Sequence, residues 1–338
     1  MRANWRASLR ICGRWAGVAT LGMLASLGLP AGRASASMPE ILVTLKPLHA
    51  LVSAVVEGAG APHLLLDGGA SPHTYALKPS DVRRLANAKV IVRVSRQLEV
   101  FLERPLAQAG GRARIITLDE LPGMTVLPLR RGGAFEVHRH AHDDPAPLRR
   151  KVRGEHDHHH GAAEAAVDGH LWLDPANARI AALGLVEALS AVAPENADRF
   201  RQNAEALAEK LAALDVQLAA ELKPVAHRPF LVFHDAYQYL EHRYRLASAG
   251  AVTLNPDVPP SAHRISELRT RLARTGIVCV FAEPQFPPRA IDTIIEGTQV
   301  RRATLDPIGA ALPSGPDQYF VMMGSLARDL RDCLLPPA

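Results

Sequence analysis

The sequence lacks a long apolar run, contains only three cysteines, and carries no net charge beyond its first 36 residues. Its apolar stretches are shorter than the roughly 20 residues that a membrane-spanning helix needs, which excludes a polytopic membrane protein. A hydrophobic content of 48% with 22% charged residues excludes a disordered chain and a collagen-like fibre. The 338 residues leave room for two domains of roughly 150 residues each.

The excess of basic charge is confined to the N-terminus. The whole chain has a formal charge of +5, but five arginines lie within residues 1–36, which contain no acidic residue. Residues 37–338 therefore hold 34 Lys and Arg residues and 34 Asp and Glu residues. Because this part of the chain is formally neutral, we expect no nucleic-acid partner.

The N-terminus has the pattern of an export signal. Residues 2–15 are basic, residues 16–29 are apolar and uncharged, and Ala34, Ser35 and Ala36 supply the small residues that a signal peptidase reads. A membrane anchor is the alternative, but an apolar run of about 14 residues falls short of the roughly 20 that span a bilayer. We therefore expect residues 1–36 to be a signal peptide cleaved before Ser37. The mature protein is then soluble and lies outside the cytoplasm.

Export leaves two cysteines, Cys279 and Cys333. In an oxidising compartment an even pair predicts a disulfide. A zinc site built on two thiolates is the alternative, but neither cysteine has a neighbour at ligand spacing. We expect the disulfide.

Short apolar runs alternate with helical stretches on both sides of one long amphipathic helix. Strands separated by helices of about ten residues predict parallel sheets with helices on both faces. We predict an α/β fold of two Rossmann-like lobes with parallel sheets, joined by a long rigid backbone helix. The expected boundaries are an N-terminal lobe at 37–192, the linking helix at 194–223 and a C-terminal lobe at 224–338. Apolar residues at helical spacing along the linking helix predict one packed side, namely Phe200, Leu207, Leu211, Leu214, Leu218 and Leu222.

Residues 130–165 interrupt this alternation with a histidine-rich segment. The segment has no apolar periodicity, which predicts a disordered surface loop. An affinity tag is one interpretation, but the position between two structured regions favours a natural loop that gathers metal. Seven of the fifteen histidines in the chain lie here, namely His138, His140, His142, His156, His158, His159 and His160.

Four residues of metal-binding types lie at the predicted strand ends. His73 and His170 belong to the first lobe, and His234 and Asp306 belong to the second. Open parallel sheets bind ligands beyond the carboxyl ends of their strands, so these four side chains are candidate metal ligands. Asp306 also precedes a proline, and an ordinary turn is its alternative role.

Three imidazoles with a carboxylate or a water molecule form a tetrahedral, nitrogen-rich set that suits Zn²⁺. Manganese prefers more carboxylate oxygen, so Mn²⁺ is the second candidate. Two further acidic residues follow predicted strands. We predict that Asp235 caps a helix and that Glu283 accepts a hydrogen bond behind the ligands.

The sequence resembles the zinc-binding solute-binding proteins of bacterial ABC importers, the ZnuA-like group. The similarity runs in order through nearly the whole chain after residue 36. The matching segments are GASPHTYALKPSD (69–81), GHLWLDP (169–175), FHDAY (233–237), FAEPQF (281–286) and TLDPIG (304–309).

The resemblance implies two lobes that hold the metal between them, with His73, His170 and His234 as zinc ligands. It also implies a periplasmic location, a Cys279–Cys333 disulfide, an ABC membrane permease as partner, and no enzymatic activity. Histidine rather than glutamate at position 234 implies zinc rather than manganese. Some relatives carry a carboxylate just before the first ligand, where this sequence has Pro72. The fourth ligand is then Asp306 or a water molecule.

Three functions compete on these observations. The first is capture of Zn²⁺ by a monomer in the periplasm and its delivery to a permease, with an affinity that falls below about pH 6.5 because protonated imidazoles do not ligate. The second is a zinc store or metallochaperone that acts through the histidine-rich loop. The third is a zinc hydrolase, against which the sequence shows no His-Glu-x-x-His helix and no paired acid.

Overall fold

The computed structural model describes residues 38–108, 111–130, 166–254, 256 and 258–336. The predicted signal peptide and residues 131–165 of the predicted loop lie outside the described residues. Within the described part of the chain, no helix has the length and apolar composition that crossing a bilayer requires.

The first of two parallel sheets is built from residues 41–117. Its central strands are fully buried and apolar except for Arg93 at the end of one, as expected for a parallel sheet covered on both faces. The strands lie in the order β2-β1-β3-β4, and their bounds are β1 Ile41–Val43, β2 His63–Leu64, β3 Val90–Arg93 and β4 Arg114–Thr117. The connecting helices are α1 Lys46–Val55, α2 Pro79–Asn87 and α3 Glu103–Gln108.

The second parallel sheet repeats this arrangement in the C-terminal part of the chain. Its order is β6-β5-β7-β8, with bounds β5 Phe230–His234, β6 Ser248–Thr253, β7 Cys279–Ala282 and β8 Arg301–Thr304. The helices are α6 Gln238–Tyr244, α7 Ala262–Thr275, α8 Arg289–Ile295 and α9 Gln318–Leu334. The predicted fold class of two parallel-sheet lobes is confirmed.

Two long helices, α4 Pro175–Val192 and α5 Ala197–Leu222, connect the sheets. Helix α4 starts where the Asp174 carboxylate accepts the Ala176 N–H at 2.8 Å and a proline occupies the first turn. Helix α5 has 26 residues and is thus about 40 Å long. It packs against α1 and α4 on the first-lobe side and against α9 on the other. Its buried stripe is the predicted one, Phe200, Leu207, Leu211, Leu214, Leu218 and Leu222.

The predicted disulfide between Cys279 and Cys333 is confirmed. Cys279 begins β7 and Cys333 lies in the last turn of α9, so the bond ties the closing helix to the centre of the second sheet. It closes a loop with a sequence separation of 54 residues. The alternative zinc–thiolate site is excluded, since both sulfurs are bonded to each other.

The double substitution Cys279→Ser and Cys333→Ser is expected to lower the free energy of unfolding by about 2–5 kcal/mol, because the unfolded chain regains the entropy that the crosslink removed. Chemical denaturation of the wild-type and doubly substituted proteins measures the difference. An unchanged midpoint would contradict the structural role of the bond.

Candidate metal centre

Three imidazole rings from the two lobes meet at one point. His73 comes from the loop after β2, His170 from the chain just before a short 3-10 turn, and His234 is the last residue of β5. One ring nitrogen of each lies within 4.8 Å of the others. The Nε2 atoms of His170 and His234 are 3.2 Å apart. Nitrogens that share a tetrahedral zinc ion are about 3.3 Å apart, so this pair has nearly the separation that such a site requires.

Apolar side chains surround the three rings. The cavity next to them is lined by Pro72 and Trp172 from the first lobe and by Phe286, Pro307 and Ile308 from the second. A shell of this kind excludes water and strengthens the interaction between a cation and its ligands.

Contacts from the first lobe hold the loop that carries part of this shell. The Trp172 indole N–H donates to the Pro307 carbonyl at 2.7 Å. The Lys46 ammonium donates to the Ala310 carbonyl at 2.7 Å and to the Leu312 carbonyl at 3.0 Å. The cavity is therefore closed by hydrogen bonds between the lobes as well as by packing.

A buried carboxylate orients His170. Its Nδ1 lies 2.6 Å from Asp168 Oδ1, and the same oxygen accepts the His170 backbone N–H at 3.0 Å. Because a carboxylate accepts the Nδ1 proton, the Nε2 lone pair is left to face the cluster. The intervening Gly169 packs so closely that a Cβ there would lie 2.8 Å from Leu98 Cβ. Sequence reasoning missed Asp168, although an acidic residue two positions before a candidate ligand was the available signal.

A second buried carboxylate orients His234. Its Nδ1 lies 3.0 and 3.1 Å from the two oxygens of Glu283, which follows β7. The predicted role of Glu283 as a hydrogen-bond acceptor is confirmed by these contacts. Burial lowers the pKa of His234, but the charge and hydrogen bond of Glu283 outweigh it, and the net effect raises that pKa above 6.5.

His73 differs from the other two histidines because it is exposed to solvent as a residue, while its ring lies against both of theirs. The ring centroids are 5.6 Å from His170 and 5.3 Å from His234. Desolvation of the ring, together with the two neighbouring imidazoles, lowers the pKa of His73 to about 2. The ring is therefore neutral, as a metal ligand must be, at any pH above this value.

The structure does not bring Asp306 into the histidine cluster. One carboxylate oxygen accepts the Gln285 amide at 2.8 Å and the other accepts the Ala310 backbone N–H at 2.6 Å. These contacts are those of the turn former that the sequence offered as the alternative. Three nitrogens, without Asp306, are the groups that converge.

Two details of the sequence interpretation were wrong. His170 does not lie at a strand end, because the apolar triplet that it opens, Leu171–Leu173, forms a 3-10 turn. Asp235 does not cap α6, which begins three residues later at Gln238. The Asp235 carboxylate instead binds the guanidinium of Arg130.

Among the residues that the structure describes, the other histidines are not part of this centre. His49 is buried, and its Nε2 bonds the Pro62 carbonyl at 3.1 Å. His263 lies on the first turn of α7. The seven loop histidines proposed as auxiliary ligands lie outside the described residues.

Comparisons with known proteins place this geometry in a family. The family model "Zinc-uptake complex component A periplasmic" (ZnuA) matches residues 41–333. The chain is 42% identical over 305 residues to the "High-affinity zinc uptake system protein ZnuA" of Brucella abortus (strain 2308), covering 87% of this chain and 91% of the relative. It is 36% identical over 320 residues to the protein of the same name from Yersinia pestis, covering 92% and 96%.

Solved structures share the fold at lower sequence identity. A crystal structure of ZnuA superposes with a TM-score of 0.71 at 22% identity, covering 88% of this chain and 99% of that one. The periplasmic zinc-binding protein TroA from Treponema pallidum gives a TM-score of 0.71 at 19% identity, with the same coverage. From the extent of the family match and the two curated relatives, this chain belongs to the ZnuA family of periplasmic zinc-uptake components.

Proposed function

We propose that this protein is the periplasmic binding component of a high-affinity zinc ABC importer, which captures Zn²⁺ between its lobes and delivers it to the membrane permease. The observation that carries the proposal is the convergence of His73, His170 and His234 on one point between the two lobes. The curated relatives are named for high-affinity zinc uptake, which supports zinc as the cargo.

The donor set favours zinc over manganese. All three converging groups are imidazole nitrogens, and tetrahedral zinc sites are built from such ligands. The nearby carboxylates of Asp168 and Glu283 face the Nδ1 atoms of His170 and His234. Since manganese prefers oxygen ligands, a site of three imidazoles selects against it. We propose that a water molecule, rather than Asp306, completes the coordination of bound zinc.

Capture, rather than hydrolysis, fits the groups around the site. A catalytic zinc needs a general base beside its open position. Among the described residues, the buried carboxylates that approach the rings, Asp168 and Glu283, are engaged by imidazole nitrogens. The apolar lining also offers little to orient a polar substrate. We propose that the protein acts as an exported monomer without catalytic turnover.

Deleting residues 138–160 is expected to leave one tight zinc site per chain. The three converging histidines lie outside that segment, so the interlobe centre retains its ligands. Competition titration of residues 37–338 without 138–160 against a zinc chelator measures the affinity, with Mn²⁺ as challenger. A store that acts through the loop predicts loss of all tight binding, and a manganese-binding relative predicts displacement by Mn²⁺.

Replacing Glu283 with glutamine is expected to weaken zinc binding by about 10–100-fold, because partners of metal-bound imidazoles orient the ring and raise its basicity. The measurement is the zinc dissociation constant at constant pH by chelator competition. The matched control is Glu296→Gln, a change at a carboxylate whose side chain is 78% exposed. Equal affinities for the two variants would show that the negative charge behind His234 is not needed.

A further inference from the structure

The Arg130 guanidinium joins two buried carboxylates of the other lobe. Its Nε donates to Asp235 Oδ2 at 3.1 Å and its Nη2 to Glu241 Oε1 at 3.4 Å, with further contacts from Nη2 to Asp235 Oδ1 and from Nη1 to Glu241 Oε2. The Arg130 side chain is 20% exposed, and each carboxylate side chain is 7% exposed. Two planar, paired contacts of this kind require the fork of an arginine and cannot be reproduced by a lysine.

The chain around Arg130 is attached to both lobes. The Leu127 N–H donates to the Tyr239 hydroxyl at 2.9 Å, and the Gln238 amide donates to the Pro128 carbonyl at 3.2 Å, so residues 127–130 run along α6. The same stretch pairs with the chain that leads to His170, since the Asp168 N–H donates to the Leu127 carbonyl at 2.9 Å.

The ion pair is therefore connected to two of the three candidate zinc ligands. On one side, Asp235 directly follows His234. On the other, the stretch that carries Arg130 bonds Asp168, whose carboxylate orients His170. Movement of the Arg130 fork would change the separation of these two imidazoles, whose Nε2 atoms are now 3.2 Å apart.

We propose that Arg130 is a positioning residue that keeps His234 in register with His170 across the lobes and thereby sets how long bound zinc is retained. This rests on the proposed zinc capture. Arg130 does not touch the metal site in this role. It acts through Asp235 and Glu241, which would otherwise be buried carboxylates without this counter-ion, at a cost in free energy.

Because Arg130 is positively charged, loss of its charge and loss of its positioning role should change zinc binding in opposite directions. A positive charge near a cation site opposes binding, so removing it strengthens zinc binding if charge alone matters. Loss of positioning has the opposite effect. Ligands that are no longer held in register separate more often, so bound zinc dissociates faster. The direction of the change therefore identifies the mechanism.

The test compares zinc dissociation rates, measured by stopped-flow transfer to an excess of chelator. For Arg130→Gln we expect dissociation about tenfold faster than wild type. The dissociation rate of Arg130→Lys, which keeps the charge and loses the paired contacts, should lie between the rates of wild type and Arg130→Gln. The control is Arg331→Gln, which breaks an ion pair with Glu221 of α5 at 2.7 Å and should leave the rate unchanged. Dissociation that is unchanged or slower in Arg130→Gln would overturn the proposal.

A second measurement needs no zinc. Spin labels at Val82 on α2 and Thr270 on α7, both exposed, report the distance between the lobes. We expect Arg130→Gln to broaden this distance distribution in the zinc-free protein and Arg331→Gln to leave it unchanged. A distribution that is not broadened in Arg130→Gln would overturn the positioning role of Arg130. If the wild-type protein binds no zinc tightly, the proposed function fails. The distance measurement still shows whether Arg130 holds the two lobes in register. If Arg130→Gln does not fold, Glu241→Gln replaces it, since this change removes one of the two carboxylates that bind Arg130. A wild-type dissociation rate in Glu241→Gln would overturn the proposal.

Discussion

Zinc binding is expected to fall by about 100–1000-fold when His73, His170 or His234 is replaced by alanine. The estimate follows from the roughly 10–16 kcal/mol that zinc binding contributes in structural sites, divided among three or four ligands at about 3–4 kcal/mol each. The loss should be similar at the three positions because each supplies one of the converging nitrogens. Chelator competition at pH 7.5 measures it, with stoichiometry determined in the same titration.

His263→Ala is the matched control for this series. His263 lies on α7, in the second lobe, and its side chain is not among the three that converge. Its removal is expected to leave the affinity and the stoichiometry unchanged. Losses of equal size at His263 and at the three clustered positions would contradict the assignment of the site. Asp306→Asn is expected to weaken zinc binding far less than the histidine changes, because the Asp306 carboxylate accepts hydrogen bonds from Gln285 and from the backbone of Ala310.

Zinc affinity is expected to fall about tenfold for each pH unit below the raised pKa of His234, because one proton must leave this ring before zinc binds. Glu283 overcomes the effect of burial and raises that pKa above 6.5, so the loss begins at a higher pH than for an ordinary histidine. His73, with a pKa of about 2, adds no proton competition above pH 3. Chelator competition between pH 8 and pH 5 measures the slope.

Glu283→Gln gives this pH prediction its own control. The variant lacks the charge that raises the pKa of His234, so the onset of the affinity loss should move to lower pH even though binding is weaker overall. A wild-type dissociation constant that stays constant from pH 7.5 to pH 5.5 would exclude proton competition at His234. An onset that does not move in Glu283→Gln would exclude the carboxylate as its cause.

Much of the fold was predictable because it depends on local patterns. The linking helix carries apolar residues at helical spacing, and all six members of the predicted stripe are buried. Helix α7 begins directly after Ser261, whose hydroxyl accepts the Arg264 N–H at 3.1 Å, and a serine at this position is itself a local signal for a helix start. The boundaries of the lobes at 37–192 and 224–338 remain predictions.

The carboxylates behind the site were harder to assign. Glu283 could be suspected because it follows a strand of the second sheet, near His234. Asp168 lacked that signal, since the chain around it forms neither strand nor helix before the turn at Leu171–Leu173. Asp235 was misassigned because its partner, Arg130, is 105 residues away in the sequence. Ion pairs of that separation leave no local pattern.

The amino-acid pattern was sufficient to predict the two parallel sheets, the disulfide and the convergence of the three histidines, since periodicity, spacing and residue chemistry are local properties. Export stays a prediction. Only the tertiary structure separated Asp306 from the histidine cluster, paired His170 with Asp168, and joined Arg130 to Asp235 and Glu241. The Arg130 contacts form where the two lobes pack against each other, between residues that are remote in the chain. The order of amino acids does not display distances of that kind, and it does not show how the Asp168 side chain turns toward His170.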